Sequence, residues 1–357
     1  MTLTNDLTAL GWTAELAEAF ARLGESAWLP GRVTLEHQHL YTVAGAGGGR
    51  LARVSGRFRH RARFKRDFPA VGDWVAVEVA PDGSATIHAV LPRRSRFSRR
   101  GAGQDADEQI VAANVDVVFL VSGLDRDFNL RRIERYLLTA REGGALPVVV
   151  LNKIDLVGDV SEPAAQVRAL DPDVSIVAVS ALTGVGLEHL AALVGPGVTA
   201  AFLGSSGVGK STLINALLGE AVQRTQEVRS VDQRGRHTTT NRELIRVPAG
   251  GVLIDTPGMR ELQLWEGSAA IGSVFEEIEQ AAAGCRFRDC RHGGEPGCAV
   301  VAAVEAGEIS VARLEQYHRL QRELAHVAAE RDERAAAEER RRARVAGRAY
   351  RAHKPKR

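Results

Sequence analysis

Apolar positions along this 357-residue chain change period several times, and each change marks a different kind of element. Near the N-terminus Leu16, Phe20 and Leu23 fall on one face of a short helix that Thr13 can cap. From residue 31 the period shortens toward two. Val33 and Leu35, then Leu40, Tyr41 and Val43, then Leu51, Val54 and Phe58 form strand-like runs. Val71 to Val79 alternates clearly, and Ile87 to Leu91 makes a fifth run. Gly45 to Gly49 and Pro81-Asp82-Gly83 supply turns. Five short strands predict a small barrel of the OB type, although an SH3-like barrel reads much the same.

Residues 93–110 read as an exposed linker, rich first in arginine and then in glycine and acids. Beyond it, continuous β-branched runs alternate with helical ones. Strands are predicted at Val115 to Val121, Pro147 to Leu151, Val174 to Val179, Val198 to Leu203 and Gly251 to Ile254. Helices are predicted at Leu130 to Glu142 and Ser211 to Leu218. Such alternation means a mostly parallel sheet covered on both faces. Past residue 266 the text is helical again. Ser268 can cap a helix with Ile271, Val274, Phe275 and Ile278 on one stripe, and another helix starts near Ser310. The expected organisation is therefore a multidomain α/β protein. It has a helical extension (1–30), a five-stranded OB-type barrel (31–95), a linker (96–110), a P-loop domain (111–265), a helical metal-binding domain (266–325) and a basic tail (326–357).

Charge changes this picture more than overall composition does. The formal net charge is only +3, but Arg50 to Arg66 carries eight Lys or Arg and no acid. Arg93, Arg94, Arg96, Arg99 and Arg100 form a second cluster, and Arg340 to Arg357 carries nine Lys or Arg without an acid. Local basic fields suit a polyanion such as RNA, against the plain alternative of solvated surface arginines. No apolar run approaches the roughly 20 residues of a membrane span, and the N-terminus lacks a signal-peptide pattern. The expectation is a cytoplasmic monomer with no membrane or DNA partner.

The chemistry lies at the predicted strand ends. Gly204-Ser205-Ser206-Gly207-Val208-Gly209-Lys210-Ser211-Thr212 follows an apolar strand and opens a helix, the context of a phosphate-binding loop. Its backbone N–H groups can curl around phosphates, Lys210 can bridge the β- and γ-phosphates, and Ser211 can hold Mg²⁺. Asn152-Lys153-Ile154-Asp155 supplies a base site. Asp155 can accept from guanine N1–H and its exocyclic amine, for which adenine has no equivalent donor pair. Lys153 can lie over the purine, Asn152 can tie the loops together, and the backbone of Ser180-Ala181 can donate to guanine O6. GTP is thus favoured over ATP. Asp255-Thr256-Pro257-Gly258 supplies the metal side: Asp255 toward Mg²⁺ through water, and the Gly258 N–H toward the γ-phosphate. Between the phosphate loop and this segment, Arg234-Gly235-Arg236-His237-Thr238-Thr239-Thr240 offers a threonine to complete the Mg²⁺ shell. Thr239 is favoured, though spacing does not choose among the three. Met259 follows Gly258 where many G proteins carry a glutamine, and a thioether cannot polarise water. His237 is the nearest catalytic candidate, or else a solvent-facing histidine.

All three cysteines fall together in Cys285-x4-Cys290-x-His292-x5-Cys298. A Cys₃His set suits one tetrahedral, structural Zn²⁺.

The motif order is the most specific signal. The guanine segment precedes the phosphate loop, and the DxxG segment follows both, so the pocket must be assembled from a circularly permuted chain. With the barrel ahead and the Cys/His knot behind, the sequence resembles the RsgA (YjeQ/YloQ) family of circularly permuted ribosome-assembly GTPases over about residues 31–325. That resemblance implies RNA binding by the OB-type barrel and GTP hydrolysis stimulated by the small ribosomal subunit. It also implies a role in late maturation of that subunit and its rRNA. The family's switch histidine maps onto His237, and its zinc ligands map onto Cys285, Cys290, His292 and Cys298. Competing readings are a non-enzymatic RNA-binding regulator that holds GTP only as a ligand, and a GTPase acting on another RNA. Permutation also suggests that the switch after Asp255, the last strand of the fold, is left on a loose end that the zinc segment anchors.

Overall fold

In the computed structural model, residues 7–37, 40–100, 108–219, 242–255, 275–319 and 321–322 are described. They divide into two compact units, one ending at Gln263 and the other beginning at Leu264.

Helix α1 (Ala14–Ala21) begins where expected, with the Thr13 hydroxyl accepting from the Leu16 N–H and Leu16 buried. The barrel follows as β1 (Leu29–His37), β2 (Leu40–Gly45), β3 (Gly48–Val54), α2 (Gly56–Arg61), β4 (Trp74–Val79) and β5 (Ala85–Val90). Its strands pair in the order β1-β2-β3-β5-β4, and β4 returns to β1 to close the sheet. Alternation sorts the side chains. On β3, Ala52 and Val54 point into a core with Val33, Tyr41, Val43, Val75, Val77 and Ile87, while Leu51 and Arg53 face out. A helix between the third and fourth strands, together with this strand order, resolves the barrel as OB rather than SH3-like.

Two expectations are corrected in this region. Phe58, read as part of a strand, lies in α2, because Ser55 accepts from the Phe58 N–H and starts a helical turn. Part of the supposed linker is a hairpin, β6 (Arg96–Arg100) against β7 (Glu108–Ala113), with Phe97, Ile110 and Val111 buried. Alternation there was masked by the arginines on the outer face.

The nucleotide-type sheet is built from β8 (Val117–Gly123), α3 (Leu130–Glu142), β9 (Leu146–Asn152), α4 (Ser161–Leu170), β10 (Ser175–Val179), α5 (Leu187–Ala192), β11 (Thr199–Leu203), α6 (Lys210–Leu218), β12 (Arg242–Arg246) and β13 (Val252–Asp255). The spatial order β10-β9-β8-β11-β13 is parallel throughout, and β12 joins β13 antiparallel. Phe119, Val150, Phe202, Leu213 and Leu253 belong to its main core. The strand ending at Asp255 is flanked on both sides, by β11 and by β12, and the switch segment after it, expected to hang on a loose end, lies outside the described residues.

Strand β12, which the sequence pattern missed, also pairs with β1 of the barrel through Leu35↔Glu243 and Glu36↔Arg242. Barrel and nucleotide-type sheet therefore form one continuous eleven-stranded sheet. Buried Arg32 fastens the same junction. It donates to the carbonyls of Leu10, Gly72 (3.2 Å) and Asn114 (3.1 Å) and to the Thr199 hydroxyl (2.8 Å), and it lies 5.5 Å from the Trp74 ring. Desolvation pulls its guanidinium down to about 10.

The second unit contains α7 (Glu276–Ala282), α8 (Ala299–Glu305) and a further helix over 311–319. Phe275, Ile278, Val300 and Tyr317 are buried in it. Ser268, the expected cap, lies outside the described residues, as does the tail 326–357.

Candidate functional site: a permuted nucleotide pocket and a cysteine-histidine knot

The phosphate loop leaves β11 and enters α6, whose Leu213, Ile214, Leu217 and Leu218 are buried and fix the helix against the sheet. Two glycines are required there by geometry. Gly209 has φ 98°, and a Cβ on it would stand 2.3 Å from Asn152 Nδ2. A Cβ on Gly204 would meet the Val121 carbonyl at 2.6 Å. Val208 is fully buried and anchors the loop from below. The Lys210 ammonium donates to the carbonyls of Gly204 (2.7 Å) and Ser205 (2.5 Å), so it curls back over its own loop. Ser206, Gly207, Ser211 and Thr212 are exposed along the rim.

Asn152 does what its position in the sequence predicts. It is buried, its Nδ2 donates to the Val208 carbonyl at 2.7 Å, and its Oδ1 accepts from the Ala181 N–H at 3.0 Å. One side chain thus locks three loops together: NKID, the phosphate loop and Ser180-Ala181. Asp155 remains exposed, with one oxygen accepting from the Ser180 hydroxyl at 2.5 Å. Lys153 adopts a left-handed backbone conformation, and its ammonium reaches Asp125 Oδ2 at 2.6 Å. That ion pair holds the Asp125 carboxyl below its ordinary range. Ile154 follows in a short 3-10 turn with Asp155. One detail departs from expectation. The N–H groups of Ser180 and Ala181, assigned to guanine O6, donate to the Val185 carbonyl (2.9 Å) and to Asn152.

On the metal side, Asp255 ends β13, and its carboxylate has no hydrogen-bond partner among the described residues. Desolvation at the strand end pushes its carboxyl above the usual range. A partly buried carboxylate at the end of β13, the strand next to the one that leads into the phosphate loop, offers oxygen of the kind a hard cation takes. His237, Thr238, Thr239, Thr240, Gly258 and Met259 lie outside the described residues.

In the second unit the four expected ligand atoms converge. Cys285 Sγ, Cys290 Sγ, Cys298 Sγ and a ring nitrogen of His292 lie within 4.8 Å of one another. Sγ of Cys285 and Cys298 are 3.9 Å apart, and His292 Nδ1 is 3.6 and 3.5 Å from them. Thiolates about 2.3 Å from a tetrahedral centre must stand about 3.8 Å apart, which matches. His292 is itself left-handed at φ 59°, and Glu295 secures its loop by accepting from the N–H groups of Arg291 (3.0 Å) and Gly293 (2.7 Å). Those N–H groups and its own hold the Glu295 carboxyl at about 2.

Comparison with known proteins decides the family. A chain from Opitutus terrae named small ribosomal subunit biogenesis GTPase RsgA is 49% identical over 332 residues, covering 90% of each chain. Its namesake from Streptomyces coelicolor is 45% identical, covering 93% of this chain and 90% of the other. The chain belongs to the RsgA family of GTPases. The sequence model of the RsgA GTPase matches residues 90–265, and that of a 50S ribosome-binding GTPase matches 199–333. The latter begins at the phosphate-loop strand and leaves out NKID. Among solved structures, YjeQ from Thermotoga maritima matches with a TM-score of 0.62 at 30% identity, covering 84% of this chain and 99% of the other. YloQ, described as a circularly permuted GTPase, matches with a TM-score of 0.60 at 24% identity, covering 84% and 96%.

Sequence reasoning missed Arg32, β12 and the loop after β8, none of which matches a motif. The apolar pair Leu244-Ile245 was too short a run to read, and an arginine in a strand ordinarily points outward.

Proposed function

We propose that this chain binds GTP with Mg²⁺, hydrolyses it to GDP and phosphate, and acts in maturation of the small ribosomal subunit. The observation that carries this reading is the Asn152 bridge, which joins the guanine segment to the phosphate loop although they stand in reversed chain order. Asp155 selects guanine, the loop from Gly204 to Thr212 cradles the phosphates, and Lys210 turns from its carbonyls to the β- and γ-phosphates. Ser211 and Asp255, with Thr239, would hold Mg²⁺, which when bound neutralises charge on the β- and γ-oxygens. The Gly258 N–H senses the γ-phosphate, and His237 stands in for the glutamine that Met259 replaces.

The knot of Cys285, Cys290, His292 and Cys298 holds Zn²⁺, because three thiolates and one imidazole satisfy a tetrahedral ion with no position left open for catalysis. The barrel and its neighbouring arginines contact rRNA. Arg53, Arg57, Arg59, Arg61, Arg63 and Lys65 are all exposed on β3, α2 and the following turn. The protein works as a cytoplasmic monomer without membrane or DNA partners. Among the described residues, no helix is long and apolar enough to cross a membrane.

The test is GTP hydrolysis with and without purified small subunits at two salt concentrations. Slow intrinsic turnover, accelerated many-fold by subunits and weakened steeply by salt, is expected. Absence of acceleration would remove the ribosomal role and leave GTP binding standing.

A further inference from the structure

The loop between β8 and α3 belongs to none of the nucleotide motifs, yet it holds one residue from each end of the pocket. It starts where the Leu124 N–H donates to the Asn152 carbonyl at 2.8 Å, directly beside NKID. Asp125 Oδ1 accepts from the Asp127 N–H at 2.9 Å, which folds the loop on itself, while Oδ2 takes the Lys153 ammonium at 2.6 Å. Gly123 makes room for that lysine: a Cβ there would stand 3.3 Å from Lys153 Cδ and 3.0 Å from Asp125 Oδ1. At the other end, Asp127, Arg132 and Ser205 close a triangle. The Ser205 hydroxyl donates to Asp127 Oδ2 at 2.7 Å and accepts from the Arg132 guanidinium at 2.7 Å, and the guanidinium also pairs with Asp127 Oδ1. Ser205 is the phosphate-loop residue whose carbonyl receives Lys210. Asn129 caps α3 by accepting from the Arg132 N–H at 3.1 Å, which fixes the arginine's origin.

We infer that the 124–132 loop is a clamp that positions the two nucleotide lysines, Asp125 orienting Lys153 at the base end and the Asp127–Arg132 pair orienting Ser205, and through it Lys210, at the phosphate end. Asp125, Asp127 and Arg132 are positioning residues, since none is placed to touch the reacting atoms. The charges support the division of labour. A carboxylate beside the phosphates would repel them, and Arg132 neutralises Asp127 where it stands. Asp125 needs no such partner, because Lys153 is its own counter-ion. The loop thus presets both ends before nucleotide arrives, which lowers the ordering cost of binding.

This inference rests on the GTP reading, and the experiment separates the two. Affinities of GDP and GMP are measured by displacement of a fluorescent guanine nucleotide, in the full-length protein and in R132A, S205A, the double variant and D125N. R132A is expected to weaken GDP about tenfold while leaving GMP, which lacks the β-phosphate the loop cradles, within about twofold. D125N is expected to weaken GDP and GMP by the same factor, because it acts at the base. S205A should reproduce R132A, and the double variant should be no worse than either, since both cut one path. Equal loss of GDP and GMP in R132A, no loss, or additive losses with S205A would overturn the clamp. Failure of the unmodified protein to bind GDP would instead overturn the GTP reading itself.

Discussion

At the scale of single residues, the pocket is decided by a few side chains whose partners explain their choice. Asp155 keeps its position through the Ser180 hydroxyl and presents its other oxygen outward. Asp155→Asn should therefore lower guanine nucleotide affinity by roughly a hundredfold or more, because an amide mismatches the two guanine donors. The same variant should gain xanthine nucleotides, whose C2 carbonyl accepts where guanine donates, and competition between GDP and xanthosine diphosphate reads both changes. Asp255 makes a prediction of opposite kind. Its carboxyl is raised by desolvation, so its ionised form is less favourable in the fold than in the unfolded chain. The stability it contributes is present below the ordinary carboxylate range and lost as pH rises through its raised value. Asp255→Asn should raise the melting temperature at pH 7 in the absence of Mg²⁺ and flatten the pH dependence over that window, while abolishing Mg²⁺-dependent hydrolysis. A lower melting temperature in that variant would contradict the desolvation account. Both residues were legible in the sequence because each is part of a short motif at the end of an apolar strand. Asp125, Asp127 and Arg132 were not, since their roles come from side-chain contacts across 28 to 78 positions of sequence.

At the scale of elements, helices and strands with a strong period were readable to within a residue or two. The apolar face of α3 is buried, and the apolar runs of β9 and β11 are buried nearly throughout, as strands covered on both faces should be. Elements whose sequence serves another purpose were not. α2 carries arginines outside and few apolar residues inside, and β6 is arginine-rich, so neither displays the pattern of its kind. The cysteine-histidine knot is the element on which the second unit depends. Its helices α7 and α8 have seven residues each, too short to persist without tertiary support. A chelator, or Cys298→Ser, should melt this unit at a temperature where the first unit stays folded, seen as a separate calorimetric transition that added zinc restores. GTP hydrolysis should fall with it while GDP binding persists, because the chain runs directly from the switch segment into this unit. Unchanged hydrolysis after metal removal would break that link.

At the scale of the molecule, the strand after the phosphate-loop helix is hydrogen-bonded to the barrel, so barrel and pocket share one sheet. Arg32 reinforces the junction from inside, satisfying three carbonyls and a hydroxyl. Arg32→Met should lower stability by about 2–4 kcal/mol, because the Leu10 and Asn114 carbonyls and the Thr199 hydroxyl lose their donor, while the Gly72 carbonyl keeps Asn114 Nδ2. Chemical denaturation should then show the barrel separating from the remainder before global unfolding. A single unchanged transition would assign the junction to β1–β12 pairing alone. The sequence by itself determined the strands that end in nucleotide motifs, their permuted order, the barrel and the grouping of Cys285, Cys290, His292 and Cys298. These are local patterns, or spacings within a few residues of each other. Only the tertiary structure decided that β12 bridges two domains, that β13 is held on both sides, and that the loop after β8 holds Lys153 at one end of the pocket and Ser205 at the other. Each of these depends on backbone pairing or side-chain contact between distant segments, which period and composition do not encode.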